Sequence, residues 1–124
     1  MATSIFVNFA TSDLERAKTF YTSLGFEVNP MFSDENGACL VVDDNVYFMV
    51  LTREHFASFI DKTVADPKTT TSALVSLSRD SRADVDAVIA NGLANGGTEP
   101  APVQDLGFMY SRGLEDPDGN AIAF

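Results

Sequence analysis

The sequence is poor in the residues that most often carry chemistry, with one cysteine, one histidine and no tryptophan among 124 residues. A single cysteine, Cys39, excludes a disulfide within the chain, and its apolar surroundings in 38–42 predict a buried side chain rather than a nucleophile. A single histidine, His55, excludes a metal site built from several histidines, and its place at the start of a helix favours a surface or capping role. The absence of a Cys-x-x-Cys pair and of a Gly-rich phosphate loop argues against zinc-ribbon and nucleotide-binding functions.

Basic residues are also scarce, since 8 lysines and arginines stand against 18 aspartates and glutamates and give a net charge of −10. DNA, RNA and acidic membranes would repel such a chain, so we expect none of them as a partner. No apolar run reaches the length of a transmembrane helix, and residues 1–6 lack the charged region of a signal peptide. We therefore expect a cytoplasmic protein.

What the chain does contain is a 45% share of hydrophobic residues, enough for one ordinary domain with a core. The apolar segment 5–10 predicts a strand, and the following residues predict a helix with Ser12 as its N-cap and Gly25 as its stop. Three further strands are expected near 26–32, 38–42 and 46–52, separated by turn residues. A short helix with one apolar face, formed by Phe56, Phe59 and Ile60, is expected over 53–60.

The second half repeats this order. A strand over 73–78 leads to a helix capped by Ser81 and ended by Gly96 and Gly97, and short strands are expected over 98–103, 108–114 and 121–124. Residues 116–120 predict a tight turn between the last two strands. The fold class is therefore α+β with paired β-α-β-β-β modules around a concave cavity, with module one over 1–52, a connection over 53–71 and module two over 72–124.

Motifs along nearly the whole chain resemble those of the vicinal oxygen chelate superfamily, which includes glyoxalases, extradiol dioxygenases, and bleomycin- and fosfomycin-resistance proteins. The matching segments are Val7-x-Phe9 before Asp13-Leu14-Glu15-Arg16-Ala17, then Phe20-Tyr21-x-x-Leu24-Gly25-Phe26, and Asp116-Pro117-Asp118-Gly119-Asn120 before the last strand. The resemblance implies the paired-module fold, and for the enzymes of the superfamily it implies a divalent metal held by His, Glu or Gln on the inner strands.

The positions that match those metal ligands are apolar in this chain: Phe6, Val50, Leu74 and Ala123. A divalent cation needs at least three N, O or S donors, so we expect no metal there and no cofactor. The resemblance then implies a metal-independent binding protein like the bleomycin-resistance members. The alternative is a metal-dependent glyoxalase, lyase or extradiol dioxygenase with displaced ligands, such as Glu54, His55, Glu115 or the termini, and whether the chain is an enzyme stays open.

Strand alternation extends the apolar positions to a predicted substrate-binding set. Its members are Phe6, Asn8, Phe48, Val50, Leu74, Ser76, Met109, Ser111 and Ala123. This lining is typical of a site for a small aromatic molecule, with phenylalanines as stacking surfaces and Asn8 and the serines as hydrogen-bonding groups. The open alternative is that the phenylalanines fill the cavity as ordinary core. Tyr110 and Arg112 are weaker candidates because alternation points them away. A homodimer is expected, since modules of this kind leave strand edges uncovered.

Overall fold

The computed structural model describes residues 2–124 and divides into two compact units, one ending at Ala65 and the other spanning Asp66–Phe124. Within the described residues, no helix has the length and the hydropathy to span a bilayer. The first unit consists of β1 (Ile5–Thr11), α1 (Leu14–Ser23), β2 (Glu27–Asp34), β3 (Gly37–Asp43), β4 (Val46–Thr52) and α2 (Arg53–Ala57). Its four strands lie in the order β1-β4-β3-β2, with β1 and β4 parallel and the other pairs antiparallel.

Helix α1 covers one face of this sheet with the apolar side chains that its sequence spacing predicts. Ala17, Phe20 and Tyr21 are fully buried, and the Tyr21 ring meets the edge of the Phe48 ring at a centroid distance of 5.7 Å. Phe9 and Phe26 complete an aromatic cluster around Phe48, each with a centroid distance of 5.4 Å to it. Burial of several aromatic rings in contact makes this cluster a large apolar contribution to the stability of the unit.

The ends of α1 confirm one prediction and correct another. Gly25 follows the helix with a φ of 100°, a left-handed conformation that glycine adopts at low cost, as predicted. The N-cap is Asp13 and not Ser12, because the Asp13 carboxylate accepts a hydrogen bond from the Arg16 amide at 3.1 Å. Both residue types cap helices well, so the backbone decides between them, and Asp13 is the last extended residue, with φ −151° and ψ 99°.

The second unit consists of β5 (Val75–Ser76), α3 (Arg82–Ala94), β6 (Gln104–Asp105), β7 (Tyr110–Ser111), β8 (Gly113–Glu115) and β9 (Ala121–Ala123). Strands β5, β9 and β8 form one sheet in that order, and Thr98 adds an isolated antiparallel bridge to Glu115. This arrangement is a shortened form of the β1-β4-β3-β2 order, including the parallel first pair. The predicted α+β class is thus confirmed in this structure.

The strands of the second unit are shorter than the sequence predicts. Residues 73–78 contribute only a two-residue strand, and 98–103 contribute the single bridge at Thr98, because most of their backbone groups lack a neighbouring strand in the described residues. The turn over 116–120 is confirmed, since buried Asp116 accepts hydrogen bonds from the amides of Asp118, Gly119 and Asn120 at 2.8–3.0 Å. Ser81 caps α3 as predicted by accepting from the Asp84 amide at 3.1 Å.

Candidate functional site

Helix α1 covers one face of the sheet of the first unit, and we call the face opposite α1 the open face. Residues paired across neighbouring strands project to the same side, and the parallel register pairs Phe6 with Tyr47 and Asn8 with Met49. The rings of Phe6 and Tyr47 stack at a centroid distance of 4.8 Å with an interplanar angle of 11°. Phe6 and Asn8 therefore share the open face, as the sequence predicts, and Tyr47 and Met49 lie there with them.

Phe48 and Val50 lie on the opposite face, so their predicted position beside Phe6 and Asn8 is wrong. Both side chains are fully buried, and Phe48 contacts the ring of Tyr21 on α1. Alternation predicts which residues of one strand share a face. Which residues of a neighbouring strand lie on that same face depends on the register of the two strands. A shift of one residue moves every side chain of a strand to the other face.

In the second unit, Ser76 pairs with Ala123, and Val75 pairs with Ile122. Ile122 is fully buried and pairs with buried Leu114 on β8, so the two side chains lie on the same face of the sheet. Strand β8 contacts α3. Ser76 and Ala123 therefore project to the face away from α3, in the phase that the sequence predicts. Leu74 precedes β5 and its side chain is 62% exposed.

Met109 and Ser111 lie on the β6–β7 hairpin, outside the sheet that carries Ser76 and Ala123. Ser111 pairs with Gln104 across that hairpin. Met109 lines a depression of about 280 Å³ whose other walls are mainly polar, with Arg79 and Arg82 among them. Arg112 exchanges two backbone hydrogen bonds of 3.0 Å with Phe124, and Ser111 lies two residues before Gly113, the strand partner of Ala123. Met109 lies further from that sheet, at the turn of the hairpin.

A groove of about 370 Å³ lies in the first unit where α2 packs against β1 and β4. We call it the α2 groove, and its lining residues are Asn8, Leu51, Phe56, Phe59 and Ile60. Of the predicted site residues, Asn8 alone lines it. The sequence does indicate the apolar face of the 53–60 segment, but only packing shows that this face lines a groove.

The side chains around the groove are held by local contacts. The Asn8 Nδ2 donates a hydrogen bond to the Phe6 carbonyl at 3.0 Å, and the Phe59 ring meets the His55 ring edge-on at 5.0 Å. The Arg53 guanidinium donates to the carbonyls of Val64 and Ala65, at 3.0 and 3.1 Å, which ties the segment after α2 back to the helix. Phe59 itself is 69% exposed, so a ligand reaches the groove without displacing core.

Tyr110 and Arg112, the weaker candidates, are engaged in an ion-pair network of the second unit. Arg112 binds Glu99 through two hydrogen bonds of 2.8 and 2.7 Å and binds Asp86 at 3.0 Å. The Tyr110 hydroxyl donates to Asp86 at 2.6 Å, and this bond followed by the one from Arg112 lowers the pKa of the Asp86 carboxyl. The same Asp86 contact raises the pKa of Tyr110, and the Arg112 guanidinium lowers the pKa of Glu99.

The residues at the superfamily's metal positions do not fit a divalent cation. Phe6, Leu74 and Ala123 offer no lone pair, and neither does Val50, which is buried on the α1 side. Met49, which occupies the open face instead, offers only a soft thioether. Across residues 2–124, no group of three or more His, Cys, Asp or Glu side chains is arranged to hold a metal ion.

A family model and several solved structures are similar to this chain. Residues 3–43 match the family model described as bleomycin resistance protein-like N-terminal. A hypothetical protein from S. aureus has a TM-score of 0.83 at 20% identity, over 100% of this chain and 93% of its own. A glyoxalase/bleomycin resistance protein/dioxygenase family enzyme from Burkholderia phytofirmans PsJN has a TM-score of 0.78 at 20% identity, over 98% and 96% of the two chains.

A glyoxalase/bleomycin resistance protein from Albidiferax ferrireducens T118 is similar as well, with 25% identity, a TM-score of 0.69, and coverage of 95% of this chain and 92% of that one. A search of curated protein sequences finds no match. The chain thus has the glyoxalase/bleomycin-resistance fold, and its resemblance to the vicinal oxygen chelate superfamily is confirmed.

Proposed function

We propose that the chain is a small-molecule binding protein that holds an aromatic ligand in the α2 groove without a metal. The observation that carries this proposal is the lining of the groove, in which one amide accompanies four apolar side chains. A volume of about 370 Å³ lies within the usual range of roughly 300–1,000 Å³ for small-molecule sites. Burial of a flat ring there gains about 25 cal/mol per Å² of apolar area removed from water.

A fluorescent aromatic probe tests the proposal directly. N-phenyl-1-naphthylamine is neutral and brightens in apolar surroundings, and the chain has no tryptophan to interfere with its signal. We expect saturable binding that is unchanged by EDTA. Phe59→Ala removes contact area and should therefore raise the dissociation constant about 5- to 10-fold. This increase corresponds to a loss of roughly 1–1.4 kcal/mol of binding free energy.

The matched control is Phe108→Ala, because Phe108 is another exposed phenylalanine, 89% accessible, at the tip of the β6–β7 hairpin. This variant should bind the probe as the wild type does. Equal weakening by both substitutions would show that the probe binds nonspecifically. Loss of binding in EDTA would instead favour the metal-dependent alternative, with displaced ligands such as Glu54, His55 or Glu115.

We also propose that the protein forms a homodimer through strand β2. This strand is an edge of its sheet, and it carries Met31 and Phe32, which are 85% and 66% exposed. Unpaired edge backbone beside large apolar side chains is the type of surface that a second copy covers.

The location of the protein in the cytoplasm remains a prediction from the sequence.

A further inference from the structure

We infer that the α2 groove selects aromatic molecules that carry one N–H or O–H donor, and that the Oδ1 atom of Asn8 accepts the hydrogen bond from that donor. The inference rests on the proposed function, because it concerns the ligand of the same groove. It adds a rule of specificity that apolar burial alone does not contain.

The orientation of the Asn8 amide supplies the first step. Its Nδ2 donates to the Phe6 carbonyl at 3.0 Å, and exchanging N and O would place two acceptors against each other. This bond therefore fixes Oδ1 on the side of the amide away from that carbonyl. Within residues 2–124, no donor forms a hydrogen bond to Oδ1, and Asn8 is solvent-exposed and lines the groove.

The rest of the lining supplies the second step. Leu51, Phe56, Phe59 and Ile60 carry no polar side-chain atom, so among the described residues Asn8 is the single polar side chain that lines the groove. A ligand that covers Asn8 removes water from Oδ1. A donor on the ligand replaces that water, whereas an ether or a methylated nitrogen leaves the oxygen buried and unsatisfied.

The consequence is a large difference between two ligands of nearly equal shape. Leaving a buried acceptor without its hydrogen bond weakens binding by roughly 10-fold. In the part of the chain that the structure describes, no cationic side chain lines the groove, so an ionised acid gains no partner there. The geometry thus points to phenols, indoles and aromatic amides as the ligand class.

Competition of 2-naphthol and 2-methoxynaphthalene against bound N-phenyl-1-naphthylamine tests the inference. The two compounds differ by one methyl group that removes the O–H donor, and the ether is the more apolar compound, so partitioning alone would favour it. With wild-type protein we expect 2-naphthol to bind about 10-fold more tightly. Asn8→Leu should abolish this preference, and Asn8→Asp, which keeps the acceptor oxygens but not Nδ2, should retain it.

Phe59→Ala provides the matched control, because it should weaken both compounds and leave their ratio unchanged. Equal affinity of the two compounds for the wild type would overturn the inference while leaving the proposed function intact. A preference that persists in Asn8→Leu or disappears in Asn8→Asp would overturn it as well. If neither naphthalene compound nor the probe binds the wild-type protein, the proposed function is refuted instead. The comparison of the two compounds on wild-type protein does not depend on whether any variant folds.

Discussion

Phe6 and Phe48 lie on neighbouring strands of one sheet but have very different surroundings. Phe48 is fully buried among three other rings, whereas Phe6 is 52% exposed and stacks on Tyr47 alone. Removing a ring from a packed cluster loses its transfer free energy and leaves a cavity, whereas an exposed ring loses one stacking contact.

We therefore expect Phe48→Ala to lower the free energy of unfolding by about 3–5 kcal/mol and Phe6→Ala by about 1 kcal/mol or less. Urea denaturation followed by far-ultraviolet circular dichroism measures both values. Equal losses would contradict the assignment of the two side chains to opposite faces of the sheet.

At the scale of the element, the N-terminus of α1 distinguishes two adjacent residues that both have capping side chains. Asp13 accepts from the Arg16 amide, whereas Ser12 accepts from the Arg16 guanidinium on the exposed surface. Asp13→Ala should therefore lower the free energy of unfolding by about 1 kcal/mol, and Ser12→Ala by a few tenths at most. Thermal and urea unfolding of the two variants provide the comparison, and a larger loss in Ser12→Ala would restore Ser12 as the cap.

The two ion pairs of Arg112, with Asp86 on α3 and with Glu99, predict a dependence of stability on pH. Tyr110 and Arg112 lower the pKa of Asp86, and Arg112 lowers the pKa of Glu99. A carboxyl with a lowered pKa in the folded state stabilises the fold above its unfolded pKa of roughly 4, and this stabilisation is lost as the pH falls through the folded pKa.

Replacing Arg112 by methionine should therefore reduce the loss of unfolding free energy between pH 7 and pH 3, relative to the wild type. Arg79→Met is the control, because Arg79 lies over the Phe124 ring at 4.8 Å and, within residues 2–124, forms no salt bridge with Asp86 or Glu99. Urea titrations at several pH values measure the difference. An identical pH profile for Arg112→Met and the wild type would show that these pairs do not contribute.

For the whole molecule, the net charge of −10 opposes the association of two copies. The exposed apolar side chains of β2 favour association, and salt weakens the repulsion without weakening apolar burial. We expect sedimentation equilibrium to show a dimer whose dissociation constant decreases with added sodium chloride. Phe32→Asp should shift the equilibrium to monomer at every salt concentration, whereas Phe108→Asp should not. A monomer under all conditions would refute the proposed dimer.

Several parts of the fold could be predicted because their signals are local. The span of β4 agrees with the expected 46–52, and α1 buries the spaced apolar residues Ala17, Phe20 and Tyr21. The glycine after α1, the serine cap of α3 and the turn at 116–120 each depend on a few neighbouring residues. The burial of Cys39 is confirmed for the same reason, since it lies in a continuous apolar strand.

The candidate site depended on contacts between distant residues, and the sequence alone could not specify them. Alternation correctly placed Phe6 and Asn8 on one face, but the β1–β4 register decided that Met49, rather than Phe48 or Val50, shares it. Asn8 and Phe59 are far apart in the chain and come together only because α2 packs beside β1. Amino-acid sequence thus determined the elements and the resemblance to a superfamily. Tertiary structure decided the faces and the groove, because register and packing are set by the fold as a whole.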